Sequence, residues 1–167
     1  MLLRGFEPVA GPDARVLILG SMPSEASLAR GFYYGHPGNA FWWLLAAVLD
    51  CSIPEDVEAR QRLLVENRIA LWDVVHRCRR RGSLDRAIEA DSVEANDIGR
   101  FVTAHQTISD VFFNGTAAQT LFRRHVPQLP LTLSLTRLPS SSAANASWSR
   151  ARKLAAWRAV AYALQRL

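Results

Sequence analysis

Lysine is nearly absent: of 20 basic residues, only Lys153 is not arginine. A Schiff-base mechanism needs a desolvated amine, and a single lysine expected on a solvated basic helix disfavours lyase chemistry. Cysteine is equally scarce, and Cys51 and Cys78 lack the paired spacing of a zinc site or a disulfide framework. Both read as buried small residues in a reducing compartment. His36, His76, His105 and His125 form no HxxxH or HxE pattern, so no metal and no cofactor is expected. No apolar run nears the roughly 20 residues of a membrane span. The opening MLLRGFEPVAG lacks the apolar region and cleavage site of a leader, and a cytoplasmic protein is expected. There is no GxGxxG or Walker loop, which disfavours a bound nucleoside triphosphate, and no GxSxG elbow around a serine.

Acidic residues also run out. None follows Asp110, whereas Arg123, Arg124, Arg137, Arg150, Arg152, Lys153, Arg158 and Arg166 do. A second basic cluster, Arg77, Arg79, Arg80 and Arg81, lies mid-chain, and the net charge is +5. One-sided basic charge favours a polyanionic partner; an arginine-rich solvated face accounts for it almost as well. With 167 residues, 49% hydrophobic and 21% charged, the chain suits one well-filled core, residues 1–167 as a single domain.

What is present is a strand, loop and helix grammar. Residues 1–13, with Pro8, Gly11 and Pro12, read as an irregular lead-in. Ala14–Leu19 is apolar on both sides of the pleat, as a central parallel strand should be. Ala40–Leu49 is apolar almost all round, the pattern of a buried helix. A more amphipathic helix runs from Ile53 to about Asn67, and Ile69–Val75 is a second strand. Arg77–Gly82 reads as a basic loop, with Ser83 capping a short turn through Asp85 to Ile88. Helical spacing links Ile98, Phe101, Val102 and His105. Thr107–Phe113 is a third strand, Thr116–His125 a helix, Leu131–Leu135 a fourth strand, and Trp148–Leu167 a closing helix with Leu154, Trp157, Ala161 and Leu164 on one stripe. Four strands separated by helices imply a parallel sheet covered on both faces, an α/β/α sandwich.

In such sheets ligands bind outside the carboxyl ends of the strands. Three loops should meet there: 20–39, 114–116 and 136–147. The first supplies main-chain donors, aromatics and Asn39; the second Asn114; the third hydroxyls beside Arg137. These groups suit positioning and electrostatic stabilisation more than direct proton transfer.

The succession GSMPS, YYGHPGNAFW and LPSSSAANASW resembles the uracil-DNA glycosylase superfamily, and within it the hypoxanthine-DNA glycosylase branch. The resemblance implies a four-stranded, uracil-DNA glycosylase-like sandwich and an enzyme acting on DNA; with a sole lysine and scattered histidines, a monofunctional, metal-free hydrolase is expected, and a monomer. Its expected reaction is excision of a deaminated base, hypoxanthine first, to leave an abasic site. A uracil or mismatch-specific glycosylase, a catalytically inactive DNA-binding module of the same fold, and a hydrolase of free nucleosides are the alternatives.

The resemblance also carries roles. Most of the superfamily holds its water with an Asp or Asn before the first-loop proline. Here that residue is Met22, whose thioether cannot do so; in the hypoxanthine branch the duty falls on the Asn of HPxNxFW, Asn39. As a residue just ahead of an apolar helix, Asn39 also reads as an N-cap. Tyr34 corresponds to the aromatic that stacks on the extruded base, or is a core aromatic. Asn114 matches the amide that reads the base edge, or simply turns the chain with Gly115. Gly20, Ser21 and Met22 would line the base, with His36 near it or orienting its loop. Arg137, Leu138, Ser140, Ser141, Ser142 and Asn145 would enter the DNA and fill the gap, Leu138 as a wedge or as the last apolar residue of its strand.

Overall fold

The apolar stretches pair as their two-sided hydrophobicity requires. In a computed structural model, which describes residues 1–166, β2 (Val16–Gly20), β3 (Ile69–Asp73), β6 (Asp110–Asn114) and β7 (Ser134–Leu138) form one parallel sheet. Its order is β3-β2-β6-β7. Alternate residues of the central strands feed two cores. Val16, Ile18, Ile69, Leu71 and Phe112 meet α2 (Phe41–Val48), α3 (Val57–Glu66) and α6 (Arg150–Gln165). Leu17, Leu19, Ala70, Val111 and Phe113 meet α4 (Ile98–Ala104) and α5 (Thr116–His125) on the other face. Each fully buried Leu, Ile or Phe adds about 1.5–3 kcal/mol relative to exposure. The expected three-layer sandwich is therefore what this alternation builds.

Helix α2 has no polar face because six of its eight residues are buried in the core it shares with α6 on one face of the sheet. Trp157 of α6 sets its ring edge-on to Phe41, 5.7 Å between centroids, which fixes the helices together.

Several boundaries differ from the sequence reading. The lead-in is not irregular: β1 (Leu2–Arg4) pairs antiparallel with β4 (Val75–Arg79), which pairs in turn with the two-residue β5 (Glu94–Ala95). The presumed basic loop at Arg77–Gly82 is thus largely a strand. Most of its charges are engaged locally: Arg77 pairs with Glu94, Arg79 lies 2.6 Å from Glu89 and 3.7 Å from Asp91, and Arg80 is buried, while Arg81 is exposed. The fourth strand starts at Ser134, not Leu131, which is 89% exposed. Register with β6, Asp110 opposite Ser134 and Asn114 opposite Leu138, overrode the run of leucines. Helix α6 begins at Arg150 because the Ser149 side chain accepts from Arg152 N–H; Trp148 precedes the cap. Cys51 is exposed, and only Cys78 is buried as expected. Among the described residues, no helix is long and apolar enough to cross a membrane.

Candidate active site

The carboxyl ends of β2, β3 and β6 surround a small cavity of about 90 Å³, closed by the loop after β7. Gly20 ends β2 because nothing larger fits: a Cβ there would collide with Asp73 Oδ1 and sit 2.6 Å from Tyr34 Oη. Both polar side chains therefore converge on a bare backbone. Ser21 and Met22 continue the wall, and Met22 packs against Val75 and Cys78 as its apolar part. A short helix, α1 (Glu25–Arg30), follows, capped by Ser24 and stopped by Gly31 at φ 78°.

Tyr34 has φ 52°, a strained setting for an aromatic residue. Its ring stacks on Phe41 at 4.1 Å, 17° from parallel, and this contact holds the strained backbone. The Tyr34 hydroxyl is buried without a hydrogen-bond partner. Burial, reinforced by Asp73, raises its pKa above the usual phenol range against an opposing pull from the nearby Asn114 amide, whose two ends are engaged by Ser141.

Asn39 faces the same cavity. Its Oδ1 accepts from Phe41 N–H at 2.9 Å, and its own N–H donates to His36 C=O at 3.0 Å. Ala40, not Asn39, is the N-cap of α2 and makes no side-chain cap bond; Asn39 stands one residue ahead of it, and its bond to Phe41 N–H fixes the amide at the cavity wall. One lone pair of Oδ1 stays free for a second donor.

Asp73 was not anticipated. It is 3% exposed at the end of β3, and its Oδ2 has no hydrogen-bond partner. Burial, with a smaller contribution from Asp85, raises its pKa to about 7, against the opposing pull of Arg80. Asp85 also lines the cavity and accepts from Ser21 Oγ at 2.6 Å. Although Asp85 is exposed as a residue, the protein packed around its carboxyl raises its pKa too, while the Ser21 bond and Arg80 lower it. Arg80 braces the first loop, donating to Pro23 C=O and Gly82 C=O, both at 2.7 Å. The sequence signal for Asp73 was an acid closing IALWD, an otherwise apolar strand.

The loop after β7 is folded by its own serines and pinned from beneath. Ser140 Oγ accepts from Ser142 N–H, Ser142 Oγ from Ala144 N–H, and Asn145 Nδ2 donates to Ser140 C=O. Asn114 is bound to this loop at both ends of its amide: Nδ2 donates to Ser141 Oγ and Oδ1 accepts from Ser141 N–H, each at 2.9 Å. That occupation departs from the base-reading expectation and makes Asn114 first an anchor. Trp157 Nε1 donates to Pro139 C=O and Lys153 Nζ to Ser142 C=O. Lys153 is therefore not on a solvated face: it is 5% exposed, and burial together with Arg150 lowers its pKa. It stays outside the cavity lining.

Two further expectations change. Leu138 is 2% exposed in the core with Trp157, the last apolar residue of its strand, so it offers no wedge. His36 is exposed, accepts from Gly38 N–H through Nδ1, and lies outside the cavity lining. Arg137 is exposed beside the cavity mouth. Among the described residues no three His, Cys, Asp or Glu side chains cluster as metal ligands would.

The whole chain, this cavity included, has relatives among known proteins. A hypoxanthine DNA glycosylase of Methanosarcina acetivorans is 35% identical over 162 residues, spanning 96% of this chain and 98% of that protein. A second, from Methanosarcina barkeri, is 34% identical over 116 residues, 69% of this chain and 72% of its own length. A solution structure of a candidate uracil DNA glycosylase from Methanosarcina acetivorans superposes with a TM-score of 0.81 at 34% identity, covering 99% of this chain and all of that one. The family model of the uracil DNA glycosylase superfamily matches residues 8–163, which include every strand of the parallel sheet and every residue of the cavity, and the chain belongs to that superfamily.

Proposed function

We propose that this chain is a DNA glycosylase that extrudes a deaminated base, hypoxanthine first, into the cavity and hydrolyses its N-glycosidic bond. The observation that carries the reading is the pairing of Asn39, fixed by its bond to the first N–H of α2, with two buried polar atoms that lack protein partners, Asp73 Oδ2 and Tyr34 Oη. Buried polar atoms are rarely left unpaired without a ligand or solvent to meet them. The edge of a flipped base supplies the missing partners, and extrusion costs only a few kcal/mol for a mispaired base.

The chemistry follows from position. Water held by the free lone pair of Asn39 Oδ1 attacks the anomeric carbon as the glycosidic C–N bond breaks. The bonding pair leaves on the base, the water oxygen bonds to the sugar, and its proton passes to solvent. Asp73, protonated over much of the range below its pKa of about 7, donates to the departing base and disperses its charge. Lys153, buried beneath the serine loop and directed at Ser142, gives no amine to the cavity, and the reaction stops at the abasic site.

The test is alkali cleavage after incubation with oligonucleotides bearing deoxyinosine, uracil or thymine opposite each base. Deoxyinosine opposite thymine is expected to react fastest; no strand cleavage with any lesion sinks the reading. Asn39→Ala is expected to lose at least about 100-fold in base release, the scale of losing a positioned polar group at a reacting centre, while keeping DNA affinity.

A further inference from the structure

Asp85, Ser140 and Ser142 form a ridge shared by the cavity and a second, wider hollow of about 550 Å³. This groove runs between Arg86, the start of α5 at Thr116, and the loop from Arg137 through Asn145 to Trp148. Nothing in the glycosidic chemistry uses it. Its charge is one-sided: Arg86 and Arg137 line it, and the Arg152 guanidinium lies 4.3 Å from the Trp148 ring centroid. Asp85 is the acidic residue lining it, and Ser21 already engages that carboxylate. Trp148 is half-buried just ahead of the α6 cap, an indole on the wall of a basic groove.

An extruded nucleotide stays joined to its strand on both sides. The strand must therefore leave the cavity over its rim, and the ridge of Ser140 and Ser142 leads into the groove. An aromatic plane beside arginines is the combination that holds one nucleotide, its base stacked and its phosphate paired. We propose that this groove is a subsite for the nucleotide adjoining the extruded one, with that base stacked on Trp148 and its phosphate held by Arg86 and Arg137. The assignment rests on the glycosylase reading, because it needs a nucleotide of the same strand in the cavity. Entry requires the neighbour to unstack, so the subsite fits single-stranded or frayed DNA with less distortion than a closed duplex.

The experiment measures fluorescence anisotropy with short single-stranded oligonucleotides carrying a central tetrahydrofuran residue, which mimics the abasic product and needs no chemistry. The neighbouring base is left intact, removed on the 5′ side, or removed on the 3′ side. Removing it on one side is expected to weaken wild-type binding by about tenfold, the scale of one base–aromatic stack. Trp148→Ala should bind the intact strand about tenfold more weakly and no longer respond to the removal, and Trp148→Phe should recover most of the response. A wild type indifferent to both neighbours, or a Trp148→Ala variant as responsive as wild type, overturns the subsite. If Trp148→Ala fails to fold, the wild-type series and Trp148→Phe still decide. Base release from deoxyinosine, assayed in parallel, separates the two readings: release without a neighbour effect removes the subsite alone, and a neighbour effect without release removes the catalytic reading and leaves a DNA-binding groove beside an occupied cavity.

Discussion

Asn39 and Asp73 show how differently two polar side chains announce themselves. Asn39 stands in a specific motif before an apolar helix, so its place at the cavity was legible; the cap position expected of it falls to Ala40, and one bond to Phe41 N–H holds its amide instead. Asp73 was hidden because an acid at the end of IALWD reads as the residue that stops a strand. Only the fold shows that it is buried against Gly20, facing Tyr34, with Asp85 raising and Arg80 lowering its pKa. Its raised pKa gives a signed expectation. The unfolded carboxyl releases its proton near pH 4, whereas the folded one keeps it to about pH 7. The stability this proton contributes is full below pH 4 and declines as pH rises to about 7. Asp73→Asn should therefore be more stable than wild type at pH 8, with the advantage vanishing near pH 4, read from urea midpoints at each pH. In base release, wild-type kcat/KM should fall above about pH 7 and the variant should lack that limb; identical profiles would remove Asp73 from the chemistry.

At the scale of elements, the helices and central strands were readable because periodicity and burial agree in them. The β1-β4-β5 sheet was not, since its strands are two to five residues long and β4 alternates arginine with Val75, His76 and Cys78. Its partner strand lies more than 70 residues away in the chain, Leu2 opposite Arg79, and no local pattern carries that information. The small sheet nevertheless shapes the site, because Arg80 leaves it to hold Pro23 and Met22 packs on it. The serine loop was recognised as polar, but its anchors were not: Asn114, Lys153 and Trp157 are scattered in sequence and meet only through the fold. Two bonds from Asn114 to Ser141, at about 1 kcal/mol each, make Asn114→Ala about 2 kcal/mol less stable by denaturant midpoint. Asn114→Asp keeps the acceptor for Ser141 N–H but replaces the donor to Ser141 Oγ with a charge, and should recover at most half of that loss. An unchanged midpoint in Asn114→Ala would show that the loop holds itself.

Across the whole molecule, arginine number and arginine availability part company. A sequence rich in arginine suggests a basic surface everywhere, yet Arg77 and Arg79 face Glu94, Glu89 and Asp91, and Arg166 is bound to Asp110. Arg86 and Arg137 at the groove are not ion-paired among the described residues, and Arg150 and Arg152 lie over Trp43 and Trp148. This distribution follows from where the acids stop: with none after Asp110, the loop after β7 and the start of α6 have no local acidic partners. DNA affinity should accordingly fall steeply with salt, each phosphate contact adding about 0.9 to the slope of log K against log salt on duplex DNA. Arg137→Ala should lower that slope by about 0.9 and weaken binding to all sequences alike, as a phosphate contact does. Arg79→Ala should leave the slope unchanged, because its guanidinium already answers two carboxylates on the small sheet. Salt titrations of duplex binding by the two variants, side by side, measure this contrast. An equal loss of slope in both would mean that DNA draws Arg79 away from Glu89 and Asp91, and that the binding face extends over β4.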